Sequence, residues 1–168
     1  MSPPKSPPKS MPRVIRASDA PGRQKPSVYP DEFALRMAGR SKRPLGDLFG
    51  LGRFGVNLTE LAPGAVSALH HVHSLQDEFI YVLEGECVLI AGDEVVHMQA
   101  GDCAGFAAGR EGHHLENRSQ ARVVYLEVGD RTAGDEVQYP NDDLKATHVA
   151  GGWVFTRKNG TSFDKGET

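Results

Sequence analysis

Between residues 54 and 128 the chain consists of short apolar segments separated by turn residues, with no helical period between them. Pro63-Gly64 ends the first segment, because proline presets φ and glycine tolerates positive φ. The segments "CVLIA" and "EVVHM" meet across Gly92-Asp93, a two-residue hairpin loop that begins with glycine. Strands of this length and spacing are typical of an antiparallel sandwich or barrel. The sequence therefore predicts an all-β domain over residues 54–128.

The segments that flank this domain have a different composition. Residues 1–27 are rich in proline, serine and lysine. Such a segment cannot bury enough apolar surface to offset its ordering entropy, so we expect a disordered basic arm. Residues 28–53 are loop-rich and are expected to pack on the domain. Residues 129–168 are interpreted as a C-terminal extension, in which Trp153 and Phe155 alternate with polar neighbours as on a half-buried strand.

The distribution of charge argues against nucleic acid as a partner of the domain. The 168 residues carry a formal net charge of −3, and six basic residues with one acidic residue give the arm +5, which leaves −8 for the remainder. An acidic surface repels phosphate, so we expect no nucleic-acid binding by the barrel. No apolar run is long enough to span a membrane, and the arm lacks the apolar stretch of a secretory signal. We therefore expect a cytoplasmic protein.

The two cysteines, Cys87 and Cys103, lie in segments that read as strands. They lack the paired spacing of a structural zinc site. In a reducing compartment we expect two small, buried thiols that form no disulfide.

A cluster of histidines and a carboxylate precedes one of the most apolar segments. His71 and His73 are two residues apart, which on a strand places both imidazoles on one face. Glu78 follows after a short turn, and a further candidate, His113 or His114, opens a later strand. Imidazoles with one carboxylate suit Fe, Mn, Co, Ni, Cu or Zn and leave positions open for water and substrate. The pattern predicts a reactive divalent-metal centre rather than a closed structural site.

The spacing of these residues resembles the first motif of the cupin superfamily. Its elements here are Gly64, six residues, His71-x-His73, four residues, Glu78, six residues and Gly85. A ligand at His70 would leave Val72 at the partner position, which favours His71 with His73. The gap to Gly85 favours Glu78 over its neighbour Asp77.

A second stretch resembles the second cupin motif. Its elements are Gly101, five residues, Ala107-x-Gly109, three residues, His113, three residues and Asn117. Ala107 stands where the motif usually has proline, and one extra residue separates Gly109 from the histidine. The spacing to Asn117 favours His113 over His114, since adjacent strand residues face opposite sides. The resemblance covers about residues 28–163 and is greatest to small single-domain cupins.

The resemblance implies a double-stranded β-helix, or jelly-roll, barrel with a divalent transition metal held by His71, His73, Glu78 and His113. It also implies a homodimer, because cupins commonly pair their barrels. It leaves the reaction open, since one fold hosts many chemistries, and no catalytic residue is assigned. One hypothesis is a metalloenzyme acting on a small organic molecule, of oxygenase, isomerase or lyase type. The alternative is a non-catalytic module that binds a small molecule or a metal. The open coordination of a mixed histidine and carboxylate set favours the enzyme.

Overall fold

The computed structural model describes residues 13–25 and 27–163, and within them β-strands predominate. The strands are β1 Arg40–Pro44, β2 Phe54–Leu61, β3 Val72–His73, β4 Glu78–Glu84, β5 Glu86–Ala91, β6 Glu94–Gln99, β7 Cys103–Phe106, β8 His113–Glu116, β9 Val123–Asp130, β10 Glu136–Gln138, β11 Lys145–Val149 and β12 Gly152–Thr156. The helices are the single turns α1 Asp31–Ala34 and α2 Leu45–Leu48, with 3-10 turns at Ala17–Asp19 and Leu35–Met37. The prediction of an all-β fold is confirmed.

The strands form three antiparallel sheets. A five-stranded sheet has the order β1-β2-β9-β4-β7, a four-stranded sheet the order β12-β11-β10-β3, and a three-stranded sheet the order β6-β5-β8. The predicted hairpin is present as β5 and β6, in which Ala91 pairs with Glu94 across Gly92-Asp93. The C-terminal extension supplies three of the four strands in the sheet that contains β3, because β10 pairs with β3 and places Val137 opposite His73.

Two hydrophobic clusters fill the space between these layers. The first lies between the five-stranded and three-stranded sheets and comprises Leu61, Ala65, Ile80, Val82, Cys87, Leu89, Met98, Leu115, Val123 and Tyr125. The second lies on the four-stranded sheet and comprises Phe33, Met37, Leu69, Val137, Tyr139, Leu144 and Ala146. Removal of this apolar surface from water is the main favourable contribution to folding. The loop-rich segment before the barrel contributes Phe33 and Met37 to the second cluster.

The turn between β4 and β5 requires a residue without a side chain. Gly85 has a φ of +81°, and a Cβ added there would lie 2.5 Å from the carbonyl oxygen of Arg122, just before β9. A close approach of this kind is possible only for glycine. The turn therefore sets how β4 and β9 approach each other, and β4 carries the acidic residue of the candidate metal centre.

The described part of the basic arm touches the barrel. The backbone N–H of Arg23 donates to the carbonyl of Lys42 over 2.8 Å. The Arg43 guanidinium donates to the carbonyl of Ala20 over 2.6 Å, and Ala20 is buried. The rest of the predicted arm, residues 1–12 and 26, lies outside the described residues. No helix in the described part of the chain is long and apolar enough to cross a bilayer.

Candidate metal centre

The histidines of the first and second motifs meet through their backbones. The backbone N–H of His71 donates to the carbonyl of His113 over 3.2 Å, and that of His113 donates to the carbonyl of His71 over 2.9 Å. Residues directly opposite each other in such a bridge point their side chains to the same face. The two imidazole centroids are accordingly 4.7 Å apart. His73, two residues further on in β3, points to the same side.

Glu78, at the start of β4, brings its carboxylate to the centre of this histidine group. Its Oε2 lies 3.2 Å from Nε2 of His71, 3.5 Å from Nε2 of His73 and 3.1 Å from Nε2 of His113. One donor atom from each of His71, His73 and Glu78 lies within 4.8 Å of the other two. The four side chains come from or beside β3, β4 and β8, one strand of each sheet. The structure thus places the four predicted site residues together.

The outer nitrogens of two of the imidazoles are held by hydrogen bonds. Nδ1 of His71 lies 2.8 Å from the carbonyl of Leu69, which can only accept, so this nitrogen carries the hydrogen. Nδ1 of His73 lies 2.5 Å from Oδ2 of Asp135. Such partners orient an imidazole and direct its Nε2 lone pair to the centre. His113 differs, since its buried Nδ1 has no hydrogen-bond partner among the described residues, and its ring stacks on Phe106 at 3.5 Å between centroids.

The electrostatics of the group favour an ionised carboxylate among the imidazoles. Burial opposes ionisation of Glu78, but hydrogen bonds from His113 and His71 hold the pKa of its carboxyl well below the usual range. Burial also opposes the charged form of His71, yet the hydrogen bond to Glu78 raises the pKa of this imidazole. Desolvation lowers the pKa of His113. The carboxylate is therefore ionised at neutral pH and attracts a cation to the three Nε2 atoms.

A cavity of about 320 Å³ opens above these side chains. His71, His73 and Glu78 form part of its lining, and the C-terminal extension contributes an aromatic wall that includes Tyr139, Trp153 and Phe155. The opposite side is polar and carries Lys42, Asn57 and Glu127. A deeper pocket of about 60 Å³ is lined by Lys42, His71, Glu78, His113 and Glu127. The volume of the main cavity suits a small organic molecule.

The alternative histidines lie elsewhere. His70 and His114 face away from the cluster, with 3.0 Å between their Nδ1 atoms, and Nε2 of His114 lies 3.0 Å from Glu116. His97 on β6 is exposed. No motif or spacing in the sequence marks His148 as a site residue, but the structure places it in the cavity lining.

Other functional side chains were missed by the sequence reasoning because no local spacing marks them. Asp135 is fully buried beside His73, although the two are 62 residues apart in sequence. Lys42 reaches the cavity from β1, in a segment that we expected only to pack on the domain. Asn57 on β2 and Glu127 on β9 also line the cavity. The expectation of two buried thiols is wrong for one residue, since Cys87 is buried and Cys103 is exposed at the start of edge strand β7.

Comparisons with known proteins agree with this architecture. The family described as "Cupin domain" matches residues 57–129. A solved sugar phosphate isomerase of the cupin superfamily from Silicibacter pomeroyi is 40% identical, with a TM-score of 0.83 over 90% of this chain and 97% of its own. A protein from Acidithiobacillus ferrooxidans, provisionally named a sugar phosphate isomerase, is 26% identical, with a TM-score of 0.68 over 84% of this chain and 98% of its own.

Among curated proteins, the tetracenomycin polyketide synthase protein TcmJ of Streptomyces glaucescens is 38% identical over 68 residues. That match spans 39% of this chain and 44% of TcmJ, so less than half of the relative's length is covered. The strand order, the two motifs and the similarity over nine-tenths of the chain to a solved cupin lead to one assignment. The chain belongs to the cupin superfamily and folds as its double-stranded β-helix.

Proposed function

We propose that this protein is a divalent-metal-dependent enzyme that isomerises a small phosphorylated sugar, with the metal held by His71, His73, Glu78 and His113. The observation that carries the proposal is the convergence of three Nε2 atoms on one carboxylate oxygen beside a substrate-sized cavity. His71, His73 and Glu78 line that cavity, and His113 lines the smaller pocket that shares His71 and Glu78 with it. The choice among oxygenase, lyase and isomerase rests on the 40% identity to the sugar phosphate isomerase from Silicibacter pomeroyi.

The donor set fits a metal ion. Because Nδ1 of His71 donates to Leu69 and Nδ1 of His73 faces Asp135, the neutral forms of both imidazoles direct Nε2 lone pairs at Glu78. Lone pairs of this kind repel a carboxylate oxygen, and either a proton on Nε2, as in the hydrogen bond that raises the pKa of His71, or a metal ion relieves this repulsion. A divalent transition metal satisfies all four groups at once, and three imidazoles with one carboxylate leave room for substrate.

The rest of the cavity suits a polar, anionic substrate. A bound divalent metal supplies Lewis acidity toward a substrate oxygen. The aromatic wall of Tyr139, Trp153 and Phe155 limits the access of water. Arg23 lines the cavity, is exposed, and forms no side-chain hydrogen bond or ion pair with residues 13–25 or 27–163. Its guanidinium is available to a phosphate group, which it can bind through two parallel hydrogen bonds.

The first test combines metal content with turnover. The untagged protein is purified without added metal and analysed by elemental mass spectrometry, and it is then offered aldose and ketose phosphates of five and six carbons. We expect about one equivalent of metal per chain and interconversion that chelation abolishes and metal restores. A protein that binds a sugar phosphate without converting it would instead support the non-catalytic binding module.

A further inference from the structure

An ion pair inside the cavity has no evident role in holding the barrel together. Nζ of Lys42, on β1, lies 2.6 Å from Oε1 of Glu127, on β9. The two side chains are only 14% and 17% exposed. They reach each other across β2, whose Asn57 donates through Nδ2 to the same Oε1 over 3.0 Å. The backbones of β1, β2 and β9 are already joined by continuous antiparallel pairing, so the sheet does not depend on this contact.

Lys42 and Glu127 lie where a molecule bound in the cavity would contact them. Lys42 and Glu127 line the main cavity and also the deeper pocket, each time together with Glu78 and His71. Oε1 of Glu127 accepts from two donors, whereas Oε2 accepts no hydrogen bond from the part of the chain that the structure describes. A carboxylate that is fixed through one oxygen and free at the other is suited to accept a proton from a bound molecule.

The burial of the pair has a cost that a structural role does not explain. Two charges that leave water lose solvation energy, and their mutual attraction repays it only in part. Burial lowers the pKa of Lys42, the charge of Glu127 opposes this, and the nearby Arg40 adds to it. A lysine of this kind releases its proton more readily than a solvated one.

We propose that Lys42 and Glu127 are the proton-transfer pair of the cavity, acting on a substrate with a carbonyl group beside a hydroxyl-bearing carbon. This role rests on the proposed isomerase function and identifies two catalytic residues for it. Both would touch the substrate, which distinguishes them from Asp135, a positioning residue that acts through His73.

The step balances without an oxidant or a reductant. Glu127 takes the hydrogen of the hydroxyl-bearing carbon as a proton, and the C–H electrons form a C=C bond to the former carbonyl carbon. The carbonyl π electrons move to its oxygen, which takes a proton from Lys42 and gives an enediol. Lys42 then removes the proton of the other hydroxyl, which becomes the new carbonyl. Glu127 returns its proton to the former carbonyl carbon, so an aldose has become a ketose.

The test follows carbon-bound hydrogen in heavy water. The metal-loaded protein is incubated in D₂O with D-fructose 6-phosphate, D-mannose 6-phosphate or D-ribulose 5-phosphate, and proton NMR measures the loss of the C–H signals. The variants are Glu127→Gln and Lys42→Met. The matched controls are Glu60→Gln and Lys145→Met, which remove charges that pair outside the cavity. Elemental mass spectrometry and thermal melts accompany each variant.

We expect Glu127→Gln and Lys42→Met to retain metal and fold but to slow exchange about 100-fold, whereas both controls exchange as the wild type does. If Glu127→Gln loses metal or unfolds, Glu127→Asp decides. It keeps the charge but withdraws the carboxylate by one methylene, and an unchanged rate there would refute the pair.

The result that would refute the proton-transfer pair differs from the result that would refute the isomerase function. Exchange by the wild type that persists within about threefold in both cavity variants overturns the proton-transfer pair and leaves the isomerase function in place. No interconversion of any of the three sugar phosphates by the metal-loaded wild type, which the same proton spectra measure, overturns the isomerase function, and the role of the pair falls with it.

Discussion

Nδ1 of His73 lies 2.5 Å from the carboxylate of Asp135, a residue with no solvent exposure. The other oxygen of Asp135 accepts hydrogen bonds from the hydroxyl of Ser74 and from the backbone N–H of Leu75. The carboxylate is therefore fixed in position, and it fixes the imidazole in turn. The loop before β10 thereby determines how a residue of β3 faces the candidate metal centre.

Replacement of Asp135 by Asn should weaken metal binding about 10- to 100-fold, because the imidazole of His73 loses the acceptor that holds its ring and raises its basicity. Competition with a chromogenic chelator measures the affinity. Asp93→Asn, in the exposed β5–β6 hairpin loop, is the control and should bind metal as the wild type does. Equal affinities for all three proteins would contradict the positioning role.

The adjacent histidines of β8 should behave differently. His113→Ala removes an Nε2 that lies 3.1 Å from Glu78, so we expect a sharp loss of metal. His114→Ala removes a ring that contacts His70 and Glu116 on the other face, so metal content should be retained. His73→Ala and Glu78→Ala should also lose metal while the barrel stays folded, because apolar burial rather than metal stabilises the core. Elemental mass spectrometry with circular dichroism makes the comparison, and metal retained by His113→Ala would argue against the assignment.

The two thiols should differ in reactivity. Burial raises the pKa of Cys87 to about 11, with the charge of Asp102 as a secondary cause. At pH 8 its thiol is below that pKa and stays protonated, whereas the thiolate is the reactive form. A disulfide-exchange reagent should therefore titrate one thiol in the native protein, Cys103, and two in denaturant. Cys103→Ser should reduce the native count to zero, and a rapid native reaction of that variant would show that Cys87 is accessible.

The glycine between β4 and β5 should tolerate no side chain. Gly85→Ala places a Cβ 2.5 Å from the carbonyl oxygen of Arg122 at a φ of +81°. Gly64→Ala is a matched control, since its φ is +80° and a Cβ there meets nothing within 4 Å. Both variants carry the cost of a positive φ, about 1 kcal/mol, and Gly85→Ala adds the steric clash. Urea denaturation should show the larger loss of unfolding free energy for Gly85→Ala, and equal losses would rule out the clash.

We propose that the protein is a homodimer, as its resemblance to cupins implies. Phe79, Tyr81 and Leu83 of β4 are 42%, 39% and 45% exposed and follow one another at every second position. A row of large apolar side chains of this kind is a candidate for contact between two copies. Light scattering should give twice the chain mass, and Phe79→Lys should shift it to the monomer. Val95→Lys, at an exposed apolar position of β6, should not. A monomeric wild type would refute the dimer.

The strands and the pairing of His71 with His73 could be predicted from short-range patterns, whereas the jelly-roll topology and the full set of four ligands came from the resemblance to the cupin motifs. The two-residue period places His71 and His73 on one face whatever the rest of the chain does. Turn residues such as Gly92-Asp93 mark where a hairpin reverses, since they relate neighbouring strands directly. Glu78 and His113 lie on other strands, and they were assigned by their spacing to Gly85 and Asn117 within the two cupin motifs.

Tertiary structure alone decided which distant side chains complete the site. Asp135 reaches His73 because β10 pairs with β3, and Lys42 meets Glu127 because β1 and β9 both flank β2. His148 and Trp153 enter the cavity lining from the C-terminal extension. These contacts join residues that are tens of positions apart, and strand pairing over such separations is set by packing of the whole core rather than by local periodicity. The sequence by itself thus determined the strands and the centre of the candidate site, and the packing of the three sheets determined its surroundings.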